Sequence, residues 1–380
     1  MNKDIVLKAS QQASKPASRE SNIELLRILS MIMIVFHHYA IHGGFEWNAV
    51  DITLPHFWYN FIVMWGKVGV NIFVLISGYF LSYKSLEVFN IKRVLKFEGQ
   101  LLFYSIGIFG ALVLIGLQDF GKKEFIISFF PITFSTWWFA SAYFLLYIIA
   151  PFLNIFLNNL EKKKYQSLII MLIILWSIVP TLTSSNFQGN SLSWFITLYI
   201  LAGYIRKFEV NNKFATRRCF IYFLIISIIN YLLSFIFTIL GSKWKWFEFH
   251  STYFNDMQKV PTLLISLALF IVFLNIKFKY NKWINMIAAA TFGVYLISDH
   301  FMLRSILWLH IFNNYKYQNS LLLIPHSIIT VICVYLVSTI IDLIRKIIFE
   351  RWYMIFVNKY ADNILKLFIS GMNRVCGKIL

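Results

Sequence analysis

The segment of residues 24–38, ELLRILSMIMIVFHH, is apolar enough to enter a bilayer, yet it carries Glu24, Arg27 and two histidines. In a helix, His38 lies about 16 Å beyond Arg27 and within about 20° of the same face. Glu24 lies one turn before Arg27, where the two side chains can pair, whereas His37 points about 80° away from His38. Charged groups inside apolar helices usually face a bundle interior or a wet cavity. We therefore predict that Glu24, Arg27 and His38 form a catalytic stripe.

The composition predicts a membrane protein throughout, because 59% of the 380 residues are hydrophobic and 14% are charged. Apolar runs of about 17–25 residues, the length that crosses a bilayer as a helix, recur along the chain. The runs lie at 24–41, 57–82, 97–117, 136–157, 166–182, 191–206, 219–240, 260–276, 283–307 and 320–344. The predicted fold is all-α, a polytopic transmembrane helix bundle of about ten spans in the cell membrane.

The net charge of +18 does not require a nucleic-acid partner, because lysines and arginines concentrate in alternate loops, as the positive-inside rule describes. Both termini are then cytoplasmic. Residues 1–20 are polar and predict a disordered cytoplasmic lead. Residues 21–346 form the predicted membrane domain, and 347–380 a cytoplasmic amphipathic tail that lies on the anionic inner leaflet.

Motifs of soluble enzymes are missing from the sequence. It contains no Gly-rich phosphate loop and no Gly-Asp-Ser hydrolase motif, and its three cysteines have no metal-ligand spacing. We expect no metal site and no bound cofactor. Any chemistry must therefore belong to the membrane bundle.

Five segments, in order, resemble the acyltransferase-3 membrane family. IELLRILSMIMIVFHHY matches its first helix, in which an arginine and a histidine are the signature and correspond to Arg27 and His38. GVNIFVLISGYFLS matches the second span through Asn71 and Ser77, and TWWFASAYFLLYIIAPFLN matches a later one through Trp138. The remaining two segments are the basic loop KRVLK, with Lys92, Arg93 and Lys96, and FGVYLISDHFMLRSILW, with His300 and Arg304.

Two positions depart from the family pattern. Ser298 replaces a histidine that often follows the Tyr-Leu-Ile of the late segment. Lys96 replaces an arginine of the basic loop, which changes a bidentate phosphate contact into a point-charge contact.

The resemblance implies transfer of an acyl group, most often acetyl, from cytoplasmic acyl-coenzyme A to a hydroxyl of an envelope or exopolysaccharide sugar. His38 is then a candidate general base, since an imidazole exchanges protons near neutrality. Lys92, Arg93 and Lys96 are candidates for the donor phosphates, or serve only as a topology signal. The second-rank or tunnel-lining candidates are Ser77, Asn71, Trp138, His300 and Arg304. The expected partners are acyl-coenzyme A, a lipid-linked or polymeric saccharide and membrane lipid.

Other interpretations remain open at this stage. Arg27 can snorkel to the interface and His38 can lie among headgroups. Ser77 can serve close helix packing instead of a tunnel. A proton-coupled transporter or a polysaccharide exporter also places charged residues in the membrane, although such folds usually carry internal repeats and this sequence shows none. Thioester hydrolysis by the purified protein separates an acyltransferase from these classes.

Overall fold

The structure is a computed structural model that describes residues 20–48, 51–82, 90–185, 189–248 and 250–376. The predicted lead lies outside the described residues, apart from its last residue. The described part is helical and contains no strand. Its longer helices are α1 Ser21–Ile41, α2 Leu54–Leu81, α3 Ile91–Leu114, α4 Lys122–Phe129, α5 Trp138–Asn158, α6 Lys162–Ile173, α7 Ser191–Lys207, α8 Thr216–Gly241, α9 Val260–Asn275, α10 Lys282–Ser298, α11 Leu323–Arg345 and α12 Arg351–Cys376.

The all-helical membrane bundle predicted from the apolar runs is confirmed. Within the described residues, eight helices are long and apolar enough to cross a membrane, or nine when the pair Lys282–Ser298 and Leu303–Tyr317, bent by 90°, counts as one span. The predicted number of about ten was slightly high by this measure. The difference lies in α7, which at 17 residues is short for a full crossing.

Close contact between α1 and α2 is the central packing feature, and two glycines of α2 allow it. A Cβ atom at Gly69 would lie 2.5 Å from the Ser30 carbonyl oxygen, and one at Gly66 would lie 2.2 Å from Cγ of His37. Small residues let helix backbones approach in this way inside membranes. The histidine-bearing end of α1 is therefore held against α2.

Polar contacts join several of the predicted inner segments at one end of the bundle. The Ser21 hydroxyl donates to Asn285 Oδ1 over 3.1 Å, and Asn22 donates to the Phe273 carbonyl over 2.8 Å. Lys207 reaches from the end of α7 to the carbonyl of Leu157 at the end of α5. We call this end of the bundle the basic end. That it faces the cytoplasm, with both termini, remains a prediction.

The tail helix α12 is not detached from the bundle. It continues from α11 through a π-helical turn, Lys346–Glu350, and the Tyr353 hydroxyl donates to the Leu95 carbonyl of α3 over 2.9 Å. Trp352 and Phe356 are exposed. Such exposure suits the predicted contact with lipid, and the domain boundaries stay predictions.

Candidate active site

A cavity of about 250 Å³ lies where α1, α2, α5 and α10 meet. It combines an apolar wall with several ionisable groups, which is typical of ligand sites. Its lining residues are Met31, Ile34, His37, His38, Ile41, His42, Gly66, Lys67, Val70, Phe73, Trp138, Phe139, Phe292, Tyr295, Asp299 and Arg304. We call it the central cavity.

His38 is buried and is oriented by the end of α10. Its Nδ1 lies 3.0 Å from the hydroxyl of Ser298, and that hydroxyl donates to the Tyr295 carbonyl over 3.3 Å. If the serine proton stays on this carbonyl, the serine oxygen accepts from His38, whose Nδ1 then carries the hydrogen. The lone pair is then on Nε2. This tautomer suits a general base at the cavity.

The side chains of His42, Asp299 and Arg304 form a cluster of ionisable groups in the central cavity. His42 Nε2 lies 2.9 Å from Asp299 Oδ1, and Arg304 Nη1 lies 3.7 Å from the same oxygen. Asp299 caps the end of α10, and the 90° bend that follows brings Arg304 back toward it. The bend after α10 therefore places the Asp299 carboxylate between the His42 imidazole and the Arg304 guanidinium.

Lys67 supplies a further cation from α2. Its Nζ lies 4.6 Å from the ring centroid of Trp138, a cation–π distance, and both residues line the central cavity. Together with Arg304, it gives the cavity two cationic groups beside the single carboxylate of Asp299. Such cations can stabilise an oxyanion that forms near His38.

Glu24 and Arg27 form the predicted ion pair, with 2.8 Å between Oε2 and Nη1. They precede Met31, Ile34 and His38 on one helical stripe. However, neither belongs to the lining of the central cavity. The pair is therefore separated from the cavity by about a turn of α1, and its catalytic role remains a prediction.

His37 departs from the simple helix-face argument. Its Nδ1 lies 3.1 Å from the Val63 carbonyl of α2, as expected for a side chain turned away from His38. Its ring nevertheless also borders the central cavity. His37 and His38 therefore both border the central cavity, and they differ in the groups that their Nδ1 atoms contact.

The predicted basic loop is wrong as a loop, because Lys92, Arg93 and Lys96 lie in the first two turns of α3, where their surroundings differ. Arg93 lines a smaller cavity of about 140 Å³, together with Val94, Phe97, Tyr143, Phe144 and Tyr147. We call it the basic-end cavity. Lys96 is instead paired with Glu350, 2.5 Å away, which also holds Arg345 at 3.0 Å. Lys92 is half-buried and lies outside the lining of this cavity.

Aromatic rings separate the two cavities. Phe97 of the basic-end cavity lies 5.0 Å from Phe292 of the central cavity, centroid to centroid. Tyr143 likewise lies 5.8 Å from Phe139. The cavities are therefore one ring layer apart. Ser77 supports this layer, because its hydroxyl accepts from Tyr143 over 3.1 Å.

Asn71 and His300, like Ser77, lie outside the lining of the central cavity. Asn71 is fully buried, and its amide donates to the Met257 carbonyl over 2.8 Å and accepts from Trp194 over 2.9 Å. His300 accepts from the backbone N–H groups of Met302 and Leu303 and so stabilises the turn after α10. Both contacts are structural, whereas the other candidates Trp138 and Arg304 line the cavity.

Sequence reasoning did not select His42, Lys67 or Asp299. His42 follows His38 by four positions and so shares its helix face, and Lys67 is a lone cation in an apolar span. Both signals were available. Asp299 precedes His300 directly, and adjacent side chains of a helix point about 100° apart, so the structure pairs Asp299 with His42 instead.

A comparison with protein families gives a match over residues 20–343 to the acyltransferase-3 family, whose model is described as an acyltransferase domain. The chain belongs to this family. It is a membrane acyltransferase, which implies an acyl donor and an acceptor substrate. No curated protein and no solved structure gives a significant match.

Proposed function

We propose that this acyltransferase moves an acetyl or other short acyl group from coenzyme A to a hydroxyl of a surface saccharide. The observation that carries the proposal is the hydrogen bond from buried His38 to Ser298 at the wall of the central cavity. It leaves a basic nitrogen beside two cations, which is the arrangement that acyl transfer to a hydroxyl needs.

The proposed reaction begins when His38 Nε2 takes the proton of the acceptor hydroxyl. The oxygen attacks the thioester carbonyl and forms a C–O bond, which gives a tetrahedral oxyanion near Lys67 and Arg304. Collapse of this intermediate breaks the C–S bond, and the protonated His38 returns its proton to the departing thiolate. The products are an ester and free coenzyme A thiol, and His38 is neutral again.

The donor enters this scheme from the basic end. The guanidinium of Arg93 at the basic-end cavity is a suitable contact for a phosphate. A charged nucleotide stays outside the hydrocarbon, while the thioester end needs to pass the layer formed by Phe97, Phe292, Phe139 and Tyr143. Lys96 is engaged by Glu350 and contributes less in this scheme.

The family match argues against the proton-coupled transporter considered from the sequence, although one feature of the site would suit it. The His42, Asp299 and Arg304 group is an ionisable cluster inside a membrane bundle, and such clusters also serve as proton relays. A transporter of this kind would not cleave a thioester. Release of free thiol therefore separates the two candidates.

The test uses detergent-purified protein supplied with acetyl-coenzyme A, where water can replace the acceptor hydroxyl and hydrolyse the thioester, and a thiol reagent measures the released coenzyme A. Wild type should release thiol, His38→Ala should lose at least about a hundredfold in rate, and His37→Ala should keep most of it. Mass spectrometry of surface polysaccharide from a deletion strain, before and after mild alkali, should reveal a missing ester. Thiol release by His38→Ala at the wild-type rate would refute the proposed base.

A further inference from the structure

A third cavity, of about 220 Å³, lies at the end of α2 opposite the basic end. It shares no lining residue with the central cavity. Its lining residues are Trp47, Asn48, His56, Tyr59, Asn60, Thr238, Glu248, Ser251 and Thr252. We call it the loop cavity, because described residues of the connections α1–α2 and α8–α9 contribute to its lining.

The aromatic wall of the loop cavity is fixed by stacking. The Trp47 ring stacks on His56, at 4.6 Å with planes 5° apart, and lies 6.0 Å from Phe45 with planes 19° apart. His56 is held in turn by a 2.8 Å contact from Nδ1 to the Asp51 carbonyl. These ring contacts hold the indole in one orientation at the cavity wall.

The opposite wall is fixed by hydrogen bonds. Asn60 is buried, and its Nδ2 donates to the Thr238 hydroxyl over 3.0 Å. That hydroxyl donates to the Ser234 carbonyl over 2.9 Å. The assignment leaves Oδ1 as the ligand-binding atom that Asn60 can offer. The cavity is thus preorganised on two sides, which lowers the entropic cost of binding.

The polar groups around the cavity include both donors and acceptors. Trp47 Nε1 is buried and has no hydrogen-bond partner among the described residues, so it is a donor in need of an acceptor. Asn60 Oδ1 and the Glu248 carboxylate are acceptors, and the hydroxyls of Ser251 and Thr252 can be either.

This chemistry selects a neutral, polyhydroxylated ligand. The lining contains no lysine or arginine, so it does not suit a phosphate, and it is too polar for an acyl chain. A sugar ring offers hydroxyls that both donate and accept, and its C–H groups pack on aromatic edges. The Glu248 carboxylate can accept hydrogen bonds from two hydroxyls, as a carboxylate commonly does.

We propose that the loop cavity binds a sugar unit of the acceptor saccharide, next to the unit that is acylated. The inference rests on the proposed function. The central and loop cavities border the same short segment, from His42 to Trp47. Five residues span at most about 17 Å, so a saccharide of a few units can reach both cavities. The loop cavity then selects the acceptor, while the central cavity performs the transfer.

The test uses oligosaccharides from the surface polysaccharide of the source organism, stripped of esters by mild alkali. Binding to the purified full-length protein is measured by calorimetry with wild type, Trp47→Phe, Glu248→Gln and the double variant. The matched control is Glu46→Gln, because Glu46 lies on the same connection but outside the cavity lining. Hydrolysis of acetyl-coenzyme A without acceptor, in which water takes the place of the acceptor hydroxyl, releases thiol and reports whether each variant is folded and active.

Each cavity variant should weaken oligosaccharide binding and raise the acceptor KM by about three- to tenfold, as for one lost hydrogen bond. Thiol release without acceptor and the donor KM should stay at wild-type values, and Glu46→Gln should bind normally. Wild-type binding by the double variant would overturn the proposal, as would a wild type that releases thiol but binds none of its own oligosaccharides. Calcium binding that depends on Glu248 and excludes the sugar would also overturn it. Intact, cavity-dependent sugar binding without thiol release would refute the proposed transfer but not this site.

Discussion

Replacing Ser298 with alanine tests how His38 is prepared for catalysis. The serine is fully buried, and its oxygen lies 3.0 Å from Nδ1 of His38, from which it accepts when Nδ1 carries the hydrogen. The alanine variant removes that acceptor without adding volume. His38 then loses its fixed tautomer and leaves a buried N–H group without its partner.

The size of the effect follows from one hydrogen bond. A hydrogen bond of this kind contributes about 0.5–1.5 kcal/mol, which corresponds to about a two- to thirteenfold change in rate. Loss of a general base itself costs about 10²–10⁴-fold. We therefore expect kcat of Ser298→Ala to fall by about two- to thirteenfold, far less than that of His38→Ala, with the donor KM unchanged.

The assay is acetyl transfer by the purified enzyme, with kcat and both KM values measured across pH. Ser298→Thr keeps the hydroxyl and should recover part of the lost rate, whereas a purely steric role would make threonine worse than alanine. Wild-type kcat in Ser298→Ala would refute the tautomer argument. A folded Ser298→Ala as inactive as His38→Ala would show that the serine does more than orient the base.

Three other predictions concern the donor, the carboxylate and the orientation. Arg93→Gln should raise the donor KM in a salt-dependent manner and more than Lys96→Gln, because Glu350 already neutralises Lys96; equal effects would refute this ranking. Asp299→Asn should lower kcat at least about tenfold, since it removes the charge shared by His42 and Arg304; an unchanged kcat would contradict a catalytic role. In a background without native cysteines, an impermeant thiol reagent applied to intact cells should label a cysteine at position 48 and spare one at 212; the reverse would invert the orientation.

The sequence predicted those parts of the site that follow from helix periodicity within one segment. Glu24 pairs with Arg27 and His38 is buried, because three- and four-residue spacing determines which side chains share a face. The partner of His38 is Ser298, 260 positions away, and no local pattern reveals such a contact.

Contacts between distant positions of the chain also determine the surroundings of the second-rank candidates and of the basic segment, so local patterns could not predict them. A polar residue in an apolar span either lines a cavity or satisfies a neighbouring helix, and only packing decides which. Asn71 forms hydrogen bonds with Trp194 and Met257, which lie far along the chain, and so it satisfies neighbouring groups instead of lining a cavity. Lys96 forms an ion pair with Glu350, which is also distant in the sequence from the basic segment. The helix bundle itself was predictable because bilayer thickness sets the length of its apolar runs.

The close approach of Gly66 to His37 should make the residues at positions 66 and 37 change together in evolution. A methyl group there would overlap the imidazole of His37, and overpacking of this kind costs about 1–3 kcal/mol. Alanine at 66 should therefore be tolerated chiefly when position 37 is small. In a library randomised at both sites, active variants with glycine at 66 should carry a large residue at 37, and those with alanine at 66 should carry a small one. An alignment of relatives should show the same correlation.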